Sequence, residues 1–210
     1  MNIKKIYFST PFKIGELLIF FGLAPYLTGI YVEGWQKVIP LIIIAVFFLL
    51  LLQRFTNFNN AIFFRFDSAY FKKSLPRMVF ITLVIIFFTG WIFPDLLFEY
   101  PAENLKKYLI TFVFYPLASV VPQEFIYRVY FFERYKKLIP SKYLLMFVNA
   151  LIFGLTHLIY DNWIAPIATF MAAWIFIINY FNSKSFLNVC LEHYYYGFVI
   201  FTVGLEHFFT

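Results

Sequence analysis

The sequence predicts an all-α, polytopic membrane protein, a transmembrane helical bundle of about seven (six to eight) spans. Of its 210 residues, 62% are hydrophobic and only 13% are charged, against about 45–50% and about 25% in soluble domains. The interior of a single soluble domain of this chain length could not bury so much apolar surface. The apolar runs approach the length of about 20 residues that a spanning helix needs. They are continuous rather than alternating, which argues against barrel strands.

Seven apolar runs mark the candidate spans. They are residues 14–32, 38–53, 78–98, 108–132, 143–160, 163–181 and 185–205. The second run is short enough to be partly re-entrant, and an eighth, half-buried helix could form around residues 55–72. No linker and no internal repeat divides the chain, so we expect a single membrane domain over residues 1–210.

Basic residues concentrate in three segments that a seven-span arrangement places on one side of the membrane. These residues are Lys4, Lys5 and Lys13, then Arg54, Arg65, Lys72, Lys73 and Arg77, then Arg134, Lys136, Lys137 and Lys142. By the positive-inside rule the N-terminus is cytoplasmic, and we expect the cytoplasmic membrane of a bacterium. The net charge of +6 is explained by these loops, so no nucleic-acid partner is predicted.

The fourth span carries Gln123, Glu124 and Arg128 within its apolar run. An ionisable residue inside a span costs a few kcal/mol and therefore suggests function. Because Glu124 and Arg128 are four residues apart, they share a helix face and can pair. Pro122 leaves a backbone carbonyl unpaired one turn earlier. A structural ion pair explains the same spacing equally well.

Two further spans carry histidines. His157 follows Phe153 by four residues, and His193 is adjacent to Glu192. A core histidine bonded to backbone would explain the first, and a polar clamp between helices the second. Counted along the spans at about 1.5 Å per residue, Glu124, His157 and His193 lie roughly 12–21 Å below the cytoplasmic surface. At that shared depth they could activate water and stabilise an oxyanion.

Taken in order, these residues resemble the motifs of the CAAX prenyl endopeptidase and bacteriocin-processing family of intramembrane proteases, also called the Abi family. That family carries Glu-Glu-xxx-Arg, then Phe-xxx-His, then His-xxx-Asn, on successive helices. The corresponding residues here, at the same spacings, are Gln123, Glu124 and Arg128, then Phe153 and His157, then His193 and Gly197. The resemblance covers a core of about residues 108–205, and the first hundred residues share only their apolar helices.

The resemblance implies roles for the matching residues. His157 would help to activate the attacking water, His193 would bind the oxyanion, and Glu124 and Arg128 would support the site, with Phe153 beside them. Two positions depart from the family motifs.

At the first departure, Gln123 replaces the water-activating Glu and cannot accept a proton; loss of a general base typically costs about 10²–10⁴ in rate. At the second, Gly197 replaces the Asn and offers no side-chain donor. Loss of one oxyanion donor typically lowers kcat by about 10²–10³. Glu124 could take over the base role, and Glu192 is a second nearby carboxylate.

The leading hypothesis is an intramembrane endopeptidase that cleaves a membrane-associated or lipidated, CAAX-like substrate with water activated by Glu124 and His157. No cofactor is expected. A zinc ion held by Glu124, His157 and His193 is an alternative set, although Arg128 would oppose a cation. The departures at Gln123 and Gly197 favour a second class, a non-catalytic pseudoprotease acting as a membrane binding or immunity factor. A transporter is disfavoured because no repeated half is visible.

Overall fold

The computed structural model describes residues 3–209, and every regular element among them is helical. Seven long helices follow one another: α1 (Thr10–Tyr31), α2 (Gly34–Phe55), α3 (Ser68–Ile92), α4 (Leu105–Tyr135), α5 (Lys142–Tyr160), α6 (Ile164–Ser183) and α7 (Phe186–Thr202). Short helical turns occupy Ile3–Tyr7, Asn60–Phe64, Pro94–Leu96, Glu99–Glu103 and Glu206–Phe208. The predicted all-α bundle is confirmed.

Six of these helices, α1 to α6, are long and apolar enough to cross a membrane. The seventh, α7, has 17 residues, which is at the short end of the range for a spanning helix. Large apolar side chains cover much of the outer surface, such as Phe80, Leu83 and Phe87 of α3. A bilayer is the solvent that suits such a surface, and the chain is an integral membrane protein.

The core of the bundle lies in the second half of the chain. Only 11% of the apolar window is buried in each of α1, α2 and α3, against 33–39% in α4, α5 and α6. All residues from Gln123 to Phe132 in α4 are buried. Helix α4 is therefore the central helix, with the other helices packed around it.

Two predicted spans differ from the observed helices. The second is a continuous helix of 22 residues, Gly34–Phe55, so the re-entrant alternative is wrong. The third begins at Ser68, about ten residues earlier than predicted, because Asp67 caps it by accepting a hydrogen bond from the Tyr70 amide at 2.9 Å. The stretch proposed for an eighth helix instead divides between a short turn, Asn60–Phe64, and the start of α3.

Two arginines that the sequence assigns to basic connecting segments bind buried carboxylates on other helices. The Arg134 guanidinium donates to both oxygens of Glu16 at 2.8 and 3.0 Å, which ties α4 to α1. Arg77 donates to Glu192 at 2.7 Å and ties α3 to α7. Sequence reasoning places these charges at the membrane surface because it sees their position in the chain but not their partners.

Helix α4 departs from regular α-helical geometry around the site. It contains two π-helical segments, Pro116–Val120 and Phe125–Tyr130, on either side of a short α-helical stretch, Val121–Glu124. Pro116 and Pro122 lack the N–H that a regular helix requires, which interrupts the hydrogen-bond ladder. Such π-turns are frequent at functional sites because they redirect side chains.

Candidate active site

Glu124 lies at the centre of the site and has no exposed surface. One carboxylate oxygen, Oε1, accepts a hydrogen bond from Nδ1 of His193 at 2.7 Å. The other, Oε2, lies 2.9 Å from Nε of Arg128 in an ion pair that is completely buried. The predicted pairing of Glu124 with Arg128 is therefore present, and α7 brings His193 to the same carboxylate.

Arg128 is held by groups from three helices. Besides Glu124, it donates a hydrogen bond to Oδ1 of Asn149, whose own amide donates to the Tyr127 carbonyl at 2.8 Å. The guanidinium also lies over the Phe153 and Phe176 rings, 5.0 and 5.8 Å from their centroids. A buried cation needs such partners, because an uncompensated one is strongly unfavourable in a low dielectric.

Sequence reasoning missed Asn149 and Phe176. Asn149 precedes Phe153 and His157 at four-residue intervals, so all three lie on one face of α5, and a polar residue inside an apolar span was the available signal. Phe176 stacks on the His193 ring at 4.6 Å with an interplanar angle of 16°. Nothing local distinguishes Phe176 from the other aromatic residues of the spans.

His157 begins the last turn of α5, where the helix tightens over Thr156–Tyr160. Its Nδ1 lies 2.7 Å from the Phe153 carbonyl oxygen. Since a carbonyl can only accept, Nδ1 carries the proton, and Nε2 of the neutral ring is left with a lone pair. The structural explanation given above, a core histidine bonded to backbone, thus accounts for one ring nitrogen and leaves the other available for chemistry.

Gln123 and His157 line one cavity of about 90 Å³, room for about three water molecules at roughly 30 Å³ each. The Gln123 amide nitrogen donates to the Ser119 hydroxyl at 2.7 Å. Its carbonyl oxygen, Oε1, is buried and has no hydrogen-bond partner among the described residues. An unpaired buried oxygen calls for a hydrogen-bond partner, and the cavity that Gln123 lines is large enough to hold water.

The cavity lies between the site and one end of the bundle. Its lining includes Lys37 at the start of α2 and Tyr160 at the end of α5, and the Lys37 ammonium sits 4.9 Å from the centre of the Tyr160 ring. Glu124 and His193 are outside this lining. The Phe153 ring connects the two parts, with its centroid 4.9 Å from the His157 ring and 6.1 Å from the His193 ring.

Gly197 lies one turn after His193 on α7, against Tyr115 of α4. A Cβ atom at position 197 would come within 2.2 Å of the Tyr115 hydroxyl oxygen. The Tyr115 ring also faces the His193 ring, with 6.2 Å between centroids. Tyr115 was missed by sequence reasoning, because its position opposite Gly197 depends on how α4 packs against α7.

Glu192 belongs to a separate polar cluster. It is fully buried and is bound by Arg77, by the Asn179 amide at 2.6 Å and by the Tyr196 hydroxyl at 3.2 Å. As adjacent helix positions require, it points away from His193. The structure therefore brings Glu124, Arg128, Phe153, His157, His193 and Gln123 into one region and leaves Glu192 outside it.

The zinc alternative lacks a ligand set. Within residues 3–209, no group of three or more His, Cys, Asp or Glu side chains is arranged to hold a metal ion. The single cysteine, Cys190, is buried without a disulfide partner in the same range. Glu124 is already engaged by Arg128, whose positive charge opposes a second cation.

Together the fold and the site define a class: an integral membrane helical bundle with a buried Glu–Arg–His cluster next to a small cavity that can hold water. A sequence model of the Rce1-like type II CAAX prenyl endopeptidase family matches residues 105–199, a little under half of the chain. The resemblance predicted from the three motifs is thereby confirmed over the helices that carry them. No curated protein and no solved structure matches the chain.

Proposed function

We propose that this protein is an intramembrane endopeptidase that hydrolyses a peptide bond of a membrane-associated or lipidated substrate. The observation that carries the proposal is a cavity lined by both His157, whose Nδ1 is held by the Phe153 carbonyl and whose Nε2 is left free, and Gln123, whose Oε1 has no hydrogen-bond partner among the described residues. A basic nitrogen that accepts a proton from water, with a second acceptor that orients the same water, is an arrangement suited to water activation. The family match over residues 105–199 supports the same reaction class.

In the proposed mechanism, the attacking water donates one hydrogen bond to Gln123 and the other to Nε2 of His157. His157 removes a proton as the water oxygen bonds to the scissile carbonyl carbon. The resulting imidazolium then returns that proton to the amine nitrogen as the C–N bond breaks. Gln123 in this scheme orients water without changing its own protonation, which suits an amide.

In this scheme Glu124 does not act as a general base, which is the role that the sequence suggested it could share with His157. Both of its oxygens are engaged, by His193 and by Arg128, so we assign it to orienting His193. When His193 carries both ring protons, Nδ1–H donates to Glu124 and Nε2–H is available for the oxyanion. Arg128 fixes the carboxylate in turn. In this scheme the scissile carbonyl binds between the His157 and His193 rings, both of which lie near the Phe153 ring.

We also propose the orientation and the direction of substrate entry. The basic clusters near Lys4, Lys72 and Lys136 place the N-terminus in the cytoplasm by the positive-inside rule. The cavity leads towards Lys37, at the start of α2, and Tyr160, at the end of α5, which both lie on the opposite side of the bundle. Substrate therefore enters from the extracytoplasmic side.

The test is cleavage of a panel of prenylated and transmembrane peptides by the purified, detergent-solubilised protein. His157→Gln should lower the cleavage rate about 10²–10⁴-fold relative to wild type. His207→Gln is the matched control and should keep the wild-type rate, because His207 is exposed near the C-terminus. A chelator should leave the rate unchanged. No cleavage of any peptide by the wild type, or full activity of His157→Gln, would refute the proposal and favour the non-catalytic binding factor.

A further inference from the structure

The phenol of Tyr115 occupies the space that a side chain at position 197 would take. A Cβ atom at position 197 would lie 2.2 Å from the Tyr115 hydroxyl oxygen and 2.5–2.6 Å from two carbons of its ring. These distances are far below van der Waals contact, so the phenol occupies the volume in which any side chain at 197 would begin. A side chain at position 197 would therefore require the Tyr115 ring to move.

Tyr115 is placed there by the irregular part of α4. It immediately precedes Pro116, at the first π-helical segment, Pro116–Val120. Its ring packs edge-on against Phe201 of α7, with 4.9 Å between centroids, and faces His193 at a steep angle of 73°. The Tyr115 ring is thus held by packing against both Phe201 and His193.

The Tyr115 hydroxyl is an unused donor. None of the hydrogen bonds found among residues 3–209 involves it, whereas the hydroxyls of Tyr108, Tyr194 and Tyr196 all have partners. A phenol O–H is a neutral donor, as is the side-chain amide that the motif of the resembled family has at position 197. Tyrosine hydroxyls can serve as oxyanion donors.

We infer that the Tyr115 hydroxyl is the second oxyanion donor of the site and acts together with Nε2–H of His193. This inference rests on the proposed peptidase function. As the water oxygen bonds to the carbonyl carbon, the carbonyl π electrons move to oxygen, and the phenol donates a hydrogen bond to the charge that develops. Tyr115 keeps its proton, and no bond to it forms or breaks. The departure at Gly197 is then a relocation of the donor from α7 to α4.

The deciding experiment compares Tyr115→Phe with wild type in the peptide-cleavage assay. Removal of the hydroxyl alone should lower kcat about 10²–10³-fold with little change in KM, because the donor acts on the transition state. Tyr194→Phe is the matched control: its ring lies 6.4 Å from that of Tyr115, and its hydroxyl only bonds the Phe112 carbonyl. It should retain wild-type kcat.

A reciprocal exchange tests the position of the donor. Gly197→Asn alone should collide with Tyr115 and lower both folding yield and activity. Tyr115→Ala/Gly197→Asn provides space and an amide donor together, and it should recover at least tenfold over Tyr115→Ala in kcat. A folded double variant no more active than Tyr115→Ala would refute a donor at this place.

The outcomes separate the two proposals. If wild type cleaves peptide and Tyr115→Phe keeps its kcat, the inference about Tyr115 is wrong and the peptidase function stands. If wild type cleaves nothing while correctly folded, both are wrong.

Discussion

Nδ1 of His193 lies 2.7 Å from Oε1 of Glu124, although 69 residues separate the two in the chain. The same carboxylate is 2.9 Å from Arg128. One buried negative charge therefore compensates a permanent cation on its own helix and orients an imidazole on another. This double engagement predicts that Glu124 matters for stability and for catalysis at once.

Glu124→Gln should both destabilise the protein and abolish cleavage. It leaves Arg128 buried without a counter-charge, and breaking a buried pair costs about 3–5 kcal/mol. Adding Arg128→Gln to Glu124→Gln should recover part of that stability, since the unpaired charge is gone, while activity stays lost. Denaturant titration in detergent, with cleavage measured on the folded fraction, separates the two effects.

Glu16→Gln is the matched control for Glu124→Gln, because Glu16 forms a comparable buried pair with Arg134 at 2.8 Å, near the end of α4 and outside the site. It should lower stability similarly but leave the kcat of the folded fraction near wild type. Equal loss of kcat in both variants would mean that the Glu124 effect is only structural.

Gln123 variants test the water-binding role. Gln123→Leu removes the unpaired Oε1 and should reduce kcat by at least tenfold, because the water loses one of its two partners. Gln123→Glu supplies a carboxylate able to accept a proton at the same place and should raise kcat above wild type. Steady-state kinetics on one peptide substrate measures both. Unchanged kcat in Gln123→Leu would contradict the assigned water site.

The orientation of the protein in the membrane can be determined by cysteine labelling in whole cells. The native Cys190 is buried and should stay unlabelled, so single cysteines can be introduced without removing it. Glu33→Cys, in an exposed turn at the Lys37 end of the bundle, should react with a membrane-impermeant maleimide. Lys136→Cys, exposed at the opposite end, should react only after the membrane is permeabilised. The reverse pattern would place the cavity mouth in the cytoplasm.

The sequence alone determined the features that depend on local composition and spacing. Continuous apolar runs specify membrane helices whatever their neighbours are. The four-residue spacings of Glu124 with Arg128, and of Phe153 with His157, place each pair on one helix face. The same spacings carried the family resemblance, which the match over residues 105–199 confirms. These properties repeat within one helix, so they can be read from the chain.

Only the tertiary structure decided which faces meet. Whether Glu124 contacts His193, Glu192 or neither depends on the rotation of α7 against α4. In the structure His193 pairs with Glu124, and Glu192 pairs with Arg77. The contact of Tyr115 with Gly197 likewise joins residues 82 positions apart. Periodicity fixes a side chain relative to its own helix axis, but packing of all seven helices fixes each axis relative to the others.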